Sequence, residues 1–233
     1  MATTPDSINP SGALPGDPRY GLSEEALKRY YATKSPCWSI RALLGPDGGP
    51  KRVAALDPHL AYLRAHRPEI RFAGPILADD AKAATGSLTL IDLPTRAAAE
   101  QFIASEPYNL NGAFDRIEIH RWSPSMQVRQ LEYQRTPGWQ QFLIVAIDKP
   151  DGSVRRAAVN DAHHKFQATV MDRYVARGPL LADDGTTIIG SLMILEFPDR
   201  RAFDAVWAAE PLNYGGVFER ITIECWRYGA GIG

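Results

Sequence analysis

The chain states one module twice. Laying 38–122 on 142–226 at a constant offset of 104 needs no gap, and about a third of the positions are identical. Gly74-Pro75-Ile76-Leu77-Ala78-Asp79-Asp80 falls on Gly178-Pro179-Leu180-Leu181-Ala182-Asp183-Asp184, and Gly86-Ser87-Leu88 falls on Gly190-Ser191-Leu192. Glu106-Pro107, Asn109, Gly112, Phe114, Arg116 and Trp122 recur as Glu210-Pro211, Asn213, Gly216, Phe218, Arg220 and Trp226. A period this long lies outside the roughly 20–50 residues of solenoids and propellers and is the size of a small independent fold. Two fused copies imitate a homodimer within one chain, with an internal pseudo-two-fold axis and two equivalent sites free to diverge.

Each copy reads as the same succession of elements. The apolar runs 38–43 and 142–147 end in Pro46-Asp47-Gly48 and Pro150-Asp151-Gly152, where Pro presets φ and Gly accepts a positive φ, so strands end in turns. Helical spacing follows over about 58–70, with Leu60 and Leu63, and over about 161–176, with Phe166, Val170 and Tyr174. Segments 72–77 and 86–93 pair as a hairpin around Asp79-Asp80, as do 178–181 and 190–197 around Asp183-Asp184-Gly185. Thr95 and Asp199 cap a second helix in each copy, and 116–122 and 220–226 alternate as half-buried strands. The order β-α-β-β-α-β is the ferredoxin-like split unit, an antiparallel four-stranded sheet with helices on one face. Packing the two bare faces together predicts an α+β protein, two fused ferredoxin-like βαββαβ repeats forming a pseudo-dimeric α/β barrel.

The expected divisions are an N-terminal extension over 1–35, repeat one over 36–124, a linker over 125–139 and repeat two over 140–233. Residues up to about 17 are rich in Pro, Gly, Ser and Thr and read as loosely draped, with a short helix over 22–31 that Ser23 caps.

Charge and composition exclude several function classes. With 26 Lys+Arg against 27 Asp+Glu the net charge is −1 and no basic face forms, so nucleic acid is not an expected partner. No apolar run approaches about 18 residues and residues 1–18 lack the pattern of a signal peptide, so neither a membrane nor export is expected, and the expected compartment is the cytoplasm. The two cysteines, Cys37 and Cys225, lie opposite Gln141 and Arg121 in the other copy and read as free thiols. No Cys-x-x-Cys or His-x-x-x-His pair is present and no residue set marks an iron ligand, so no metal and no cofactor is expected.

Of five histidines only His59 and His163 occupy equivalent places. Imidazole ordinarily titrates near neutrality, and a carboxylate beside it fixes its tautomer, which suits a general acid or base. The competing reading is a solvated or structural histidine, and it holds for His66, His120 and His164, which have no counterpart. Glu106 and Glu210 are either partners of those histidines or helix-terminal acids bonding backbone amides. Ser87 and Ser191 offer a hydrogen bond to substrate but no nucleophile, since no Gly-x-Ser-x-Gly surrounds them. Arg116 and Arg220 could clamp a carboxylate or phenolate, or serve as edge-strand ion pairs. The paired acids Asp79-Asp80 and Asp183-Asp184 read as solvated turns, and Trp122 and Trp226 as caps of the barrel core.

A His on the first helix, Gly-Pro-Leu before an acidic turn, Gly-Ser, an acidic-Pro dipeptide and Gly-x-Phe before the last strand resemble, in order and in duplicate, the YCII-related family of the dimeric α/β barrel superfamily. That resemblance implies a cofactor-independent site in which a His and an acidic residue move a proton. It puts the family's His on His59 and His163, and the Arg seven residues before it on Arg52 and Arg156. The family's Asp before the Pro is Glu106 and Glu210 here, one methylene longer.

Together these readings predict a small-molecule enzyme of lyase or isomerase type, dehydrochlorinase-, lactone isomerase- or decarboxylase-like. His59, His163, Glu106 and Glu210 are its catalytic set. Arg52, Arg156, Ser87, Ser191, Arg116 and Arg220 hold a compact cyclic or aromatic-derived substrate. The alternative is a non-catalytic metabolite-binding or scaffolding module. A small molecule is the expected partner, and the fused chain could itself form a homodimer.

Overall fold

A computed structural model describes residues 20–23, 25, 26, 29, 30 and 33–232. The chain divides into two compact units, 1–35 and 36–233. In the first, Glu25, Ala26, Arg29 and Tyr30 are helical and Ser23 Oγ accepts from the Ala26 amide at 3.3 Å, as a cap would. The expectation for residues up to 17 lies outside the described residues.

In the second unit, the first half runs β1 (Cys37–Leu44), α1 (Gly48–Ala54), α2 (Leu56–Ala65), β2 (Ile70–Leu77), β3 (Ala84–Asp92), α3 (Arg96–Ala104), α4 (Pro107–Leu110) and β4 (Phe114–Trp122). The second half runs β5 (Gln140–Asp148), α5 (Gly152–Thr169), a 3₁₀ turn (Met171–Arg173), β6 (Tyr174–Leu181), β7 (Ile188–Phe197), α6 (Arg200–Ala208), α7 (Pro211–Tyr214) and β8 (Phe218–Trp226). The strands form a closed barrel in the order β1-β3-β2-β8-β5-β7-β6-β4. Each half contributes four antiparallel strands, and the seams are β2 with β8 and β4 with β6. The seams are equivalent: Ile76 lies opposite Trp226, and Leu180 opposite Trp122. The halves therefore join edge to edge as well as face to face, which removes the free edges of both sheets.

Alternation along the strands sorts two kinds of core. Leu88, Leu90, Ile76 and Trp122 of the first half meet Leu192, Ile194, Leu180 and Trp226 of the second in the barrel interior, all buried. The opposite faces pack on helices: Ile40, Ala42 and Ile91 against Leu63, Phe102 and Ile103, and Phe142, Ile144 and Leu195 against Phe203. One interior difference between the halves carries charge. Arg41, where the second half has Val145, is buried and bonds Glu224 at 3.0 and 2.6 Å and Glu118 at 3.0 Å, joining the halves by charge.

The first helix of each half differs from its sequence-based prediction. It begins at Gly48 and Gly152, about ten residues early, and ends at Ala65 and Thr169, while Tyr174 belongs to a strand. The turn expected at Pro46-Asp47-Gly48 leads straight into the helix, and Pro50 is at ease in its first turn, where its missing N–H has no partner to lose. Pro58 explains why the first half has two helices. It removes the bond to residue 54 and its ring crowds that carbonyl, and the helix breaks at Ala55. Ala162 stands at the same place in α5, which runs unbroken for 18 residues.

Candidate active site

His59 lies on α2 beside the break at Ala55. Glu106 is the N-cap of α4, with Pro107 at its first position. The sequence reading offered Glu106 as a partner of histidine or a helix cap, and its two oxygens do both. Oε2 accepts from the Tyr108 and Asn109 amides at 3.0 and 3.2 Å, and Oε1 accepts from His59 Nδ1–H at 2.5 Å. Two amides of a helix N-terminus hold the carboxylate still and favour its charge, and it in turn orients the imidazole. The Tyr108 ring stacks on that of His59 with centroids 3.7 Å apart and planes 11° apart. With Nδ1 committed, Nε2 is the nitrogen left for another partner.

A cavity of about 300 Å³ opens on this histidine. Arg52 on α1 reaches it, donating to the Gly86 carbonyl at 3.0 Å and Ser87 Oγ at 3.1 Å, with its guanidinium 4.8 Å from the Tyr108 ring centroid. Burial holds Arg52 below its ordinary range, and Arg227 adds repulsion against partial relief from Tyr108 and Glu106. Burial also pushes the Tyr108 phenol up, with Arg52 opposing. His59, Arg52, Ser87 and Tyr108 thus present a base, a cation and two hydroxyls to one small space.

The cavity is closed by chain from the other half. After β8 the segment 227–231 crosses onto β2: the Arg227 amide donates to the Pro75 carbonyl at 3.2 Å and the Gly229 amide to Ala73 at 2.9 Å. In the second half Ser123 and Ser125 make the equivalent bonds to Pro179 and Arg177, at 3.0 and 2.8 Å. Gly74 and Gly178 permit this approach. A Cβ on either would sit 2.0 Å from the crossing carbonyl of Arg227 or Ser123.

The second half repeats the pair and changes its surroundings. His163 Nδ1–H donates to Glu210 Oε1 at 2.6 Å, and that oxygen also accepts from the Leu212 amide at 3.1 Å. Leu212 replaces Tyr108. Arg156 bonds Ser191 at 3.0 Å as its counterpart does, but is gripped by Asp148 at 2.6 and 2.7 Å, where the first half has Leu44. Arg177, at the place of Ala73, donates to Gln167, at the place of Leu63, at 2.5 Å. Their counterparts Ala73 and Leu63 line the cavity of the first half.

Of the ten residues singled out in the sequence, His59, Glu106, Arg52 and Ser87 are brought together in the first half, and the second half repeats their contacts as the pairs His163–Glu210 and Arg156–Ser191. Arg116 and Arg220 are not among them. Arg116 is exposed and pairs with Glu118 at 2.5 Å, and Arg220 is exposed on β8. Among the described residues no group of three or more His, Cys, Asp or Glu is placed to hold a metal ion, and no helix is long and apolar enough to cross a membrane. The sequence reading missed Tyr108, Asp148, Arg177 and Arg227. All four differ from their partners Leu212, Leu44, Ala73 and Ser123, and those mismatches were the available signal.

The closed eight-stranded barrel, built from two ferredoxin-like halves with a His-carboxylate pair in each, defines a dimeric α/β barrel made by one chain. The chain belongs to the YCII-related domain family, whose model matches it twice, over residues 40–123 and 140–227. No curated protein matches the sequence significantly. Among solved structures it is similar to 5-chloro-2-hydroxyhydroquinone dehydrochlorinase from Burkholderia phenoliruptrix, 25% identical over 37% of this chain and 93% of that one, with a TM-score of 0.35. A mutant chlorite dismutase from Candidatus Nitrospira defluvii covers 88% of this chain and 95% of its own at 10% identity and a TM-score of 0.59. A heme-binding protein from Thermus thermophilus covers 83% and 91% at 11% identity and a TM-score of 0.50. These last two likenesses are of fold alone.

Proposed function

We propose that the protein is a small-molecule enzyme of lyase or isomerase type working without a cofactor, and that its working site is the first-half cavity. The observation that carries this reading is the His59–Glu106 pair beside an open cavity that also holds Arg52, Ser87 and Tyr108. Glu106 positions His59 with Nδ1 protonated, so Nε2 can take a proton from a carbon next to a carbonyl. The C–H electron pair moves into the substrate as an enolate, whose oxygen Arg52 and Tyr108 are placed to meet. The proton then returns at another carbon, which is isomerisation, or chloride departs from the neighbouring carbon as a double bond forms, which is net loss of HCl. The second half keeps the pair but has Arg156 neutralised by Asp148 and Arg177 bonded to Gln167 where the first half has Ala73 and Leu63, and its role in this reading is structural.

The test is turnover of a panel of chlorinated hydroquinones, unsaturated lactones and aromatic carboxylates by the whole chain and by two single variants. His59→Ala should lose about 100-fold or more, the scale of general acid–base catalysis, and His163→Ala should retain turnover. Equal activity of His59→Ala and the parent protein would refute the reading.

A further inference from the structure

The cavity beside His59 has an unusual charge balance. Its walls include Arg52, Arg227 and His59, and no aspartate or glutamate. Glu106 stands behind His59, with both oxygens occupied by the imidazole and two amides. Arg52 has no carboxylate partner among the described residues; its bonds go to a carbonyl and a hydroxyl, both neutral. The Arg227 side chain makes no ion pair or hydrogen bond among the described residues. It is exposed, but it belongs to the segment whose backbone is pinned to β2, which places it at the cavity mouth. The equivalent cavity position in the second half is Ser123, and there Arg156, the counterpart of Arg52, is answered by Asp148.

Resting on the reading of this cavity as the working site, we propose that it is built for a small anion, a carboxylate on a compact ring, gripped between Arg52 of one half and Arg227 of the other. Two cations facing one cavity, Arg52 partly buried and Arg227 at its mouth, with no carboxylate on its walls, leave a charge that a ligand carboxylate neutralises. Guanidinium groups suit it because their planar donor forks match a carboxylate. The stacked His59 and Tyr108 rings supply a flat apolar wall for the ring of the ligand. The second half, with Asp148 in place and Ser123 for Arg227, does not take the same ligand.

The experiment titrates the whole chain with benzoate and with its neutral isostere benzamide, by calorimetry. Benzoate should bind at one equivalent per chain and about tenfold or more tighter than benzamide, the scale of a charge-assisted hydrogen bond. Arg227→Gln should weaken benzoate about tenfold and leave benzamide unchanged, Arg227→Lys should restore part of the loss, and Arg220→Gln, an exposed arginine off the cavity, should change nothing. Melting curves confirm that each variant is folded. Equal binding of the two probes, binding of neither, two equivalent sites per chain, or indifference to Arg227→Gln would each overturn the proposal. His59→Ala keeps the two questions apart, since it should bind benzoate while losing turnover. Benzoate discrimination in a protein that turns over nothing would sink the enzyme and spare the anion site.

Discussion

Replacing Asp148 by Leu tests whether the second half is held together by the contact that separates it from the first. The substitution copies Leu44 into its equivalent place. In the parent protein Asp148 and Arg156 meet through two bonds of 2.6 and 2.7 Å, with side chains only 5% and 16% exposed. Removing one member of a buried pair costs about 3–5 kcal/mol, because the other is left charged and without a counter-ion. Arg156 would keep Ser191 at 3.0 Å and the Phe218 ring at 5.6 Å, so the low end applies, about 3 kcal/mol. That is a large part of a typical total of about 5–15 kcal/mol. With a urea slope of about 1–3 kcal/mol/M, the midpoint should fall by roughly 1–3 M. The double variant Asp148→Leu/Arg156→Leu should recover most of the loss, since an apolar replacement of a whole buried pair is often neutral. A single variant whose midpoint moves by less than about 0.5 M at unchanged slope, or a double variant no better than the single, would refute the argument.

Three further outcomes follow from the differences between the halves. Burial, with repulsion from His163 and Arg177 against slight relief from Asp161, holds His164 below its ordinary value of 6.5. The unfolded chain then binds that proton first as pH falls, so stability declines below about pH 6.5. His164→Leu, the residue of the first half, should flatten this part of the stability–pH curve, leaving the contribution of His120, which burial also lowers; an unchanged slope refutes it. Trp122 Nε1 donates to the Gly178 carbonyl at 3.2 Å, whereas buried Trp226 Nε1 has no partner among the described residues. Urea unfolding should therefore find Trp122→Phe costlier than Trp226→Phe by about 1 kcal/mol, the worth of one hydrogen bond. Ala81 holds φ 57° where Gly185 holds φ 71°. Ala81→Gly should raise stability by about 0.5 kcal/mol in thermal melts, relief of about 1–2 kcal/mol of left-handed strain outweighing the added freedom of Gly when unfolded.

The duplication and the strand alternation made the barrel legible, because both are periodic over the whole chain. Thr95 and Asp199 cap α3 and α6 through bonds to Ala98 and Ala202, as their positions suggested. The starts of α1 and α5 were illegible for a physical reason. Asp47 and Asp151 stand at the N-caps without a side-chain cap bond, so no cap in those turns announces a helix. The pairing of His59 with Glu106 was foreseeable as two equivalent candidates, but its geometry depends on where α4 turns after α3, and no spacing encodes that. The seams were beyond reach as well. Only two residues of β2 and two of β8 are paired there, too few to leave a pattern in either strand.

Closure of each cavity by the opposite half explains how one site could change without the other. In a symmetric dimer of single modules, a residue after the last strand would reach both cavities at once, and a cation placed there would alter both. Here Arg227 borders only the first cavity, while its counterpart Ser123 lies after β4 and crosses onto β6. The buried contact of Arg41 with Glu224 has the same one-sided character, since Val145 and His120 stand at the equivalent places and cannot repeat it. Such a pair, desolvated and geometrically exacting, penalises any pairing of like halves, since two first halves would leave Arg41 with Glu118 alone and two second halves would leave Glu224 without its arginine. Fusion therefore made the asymmetry possible, and the charges across the barrel favour the one arrangement in which a first-half cavity receives its cation from the second.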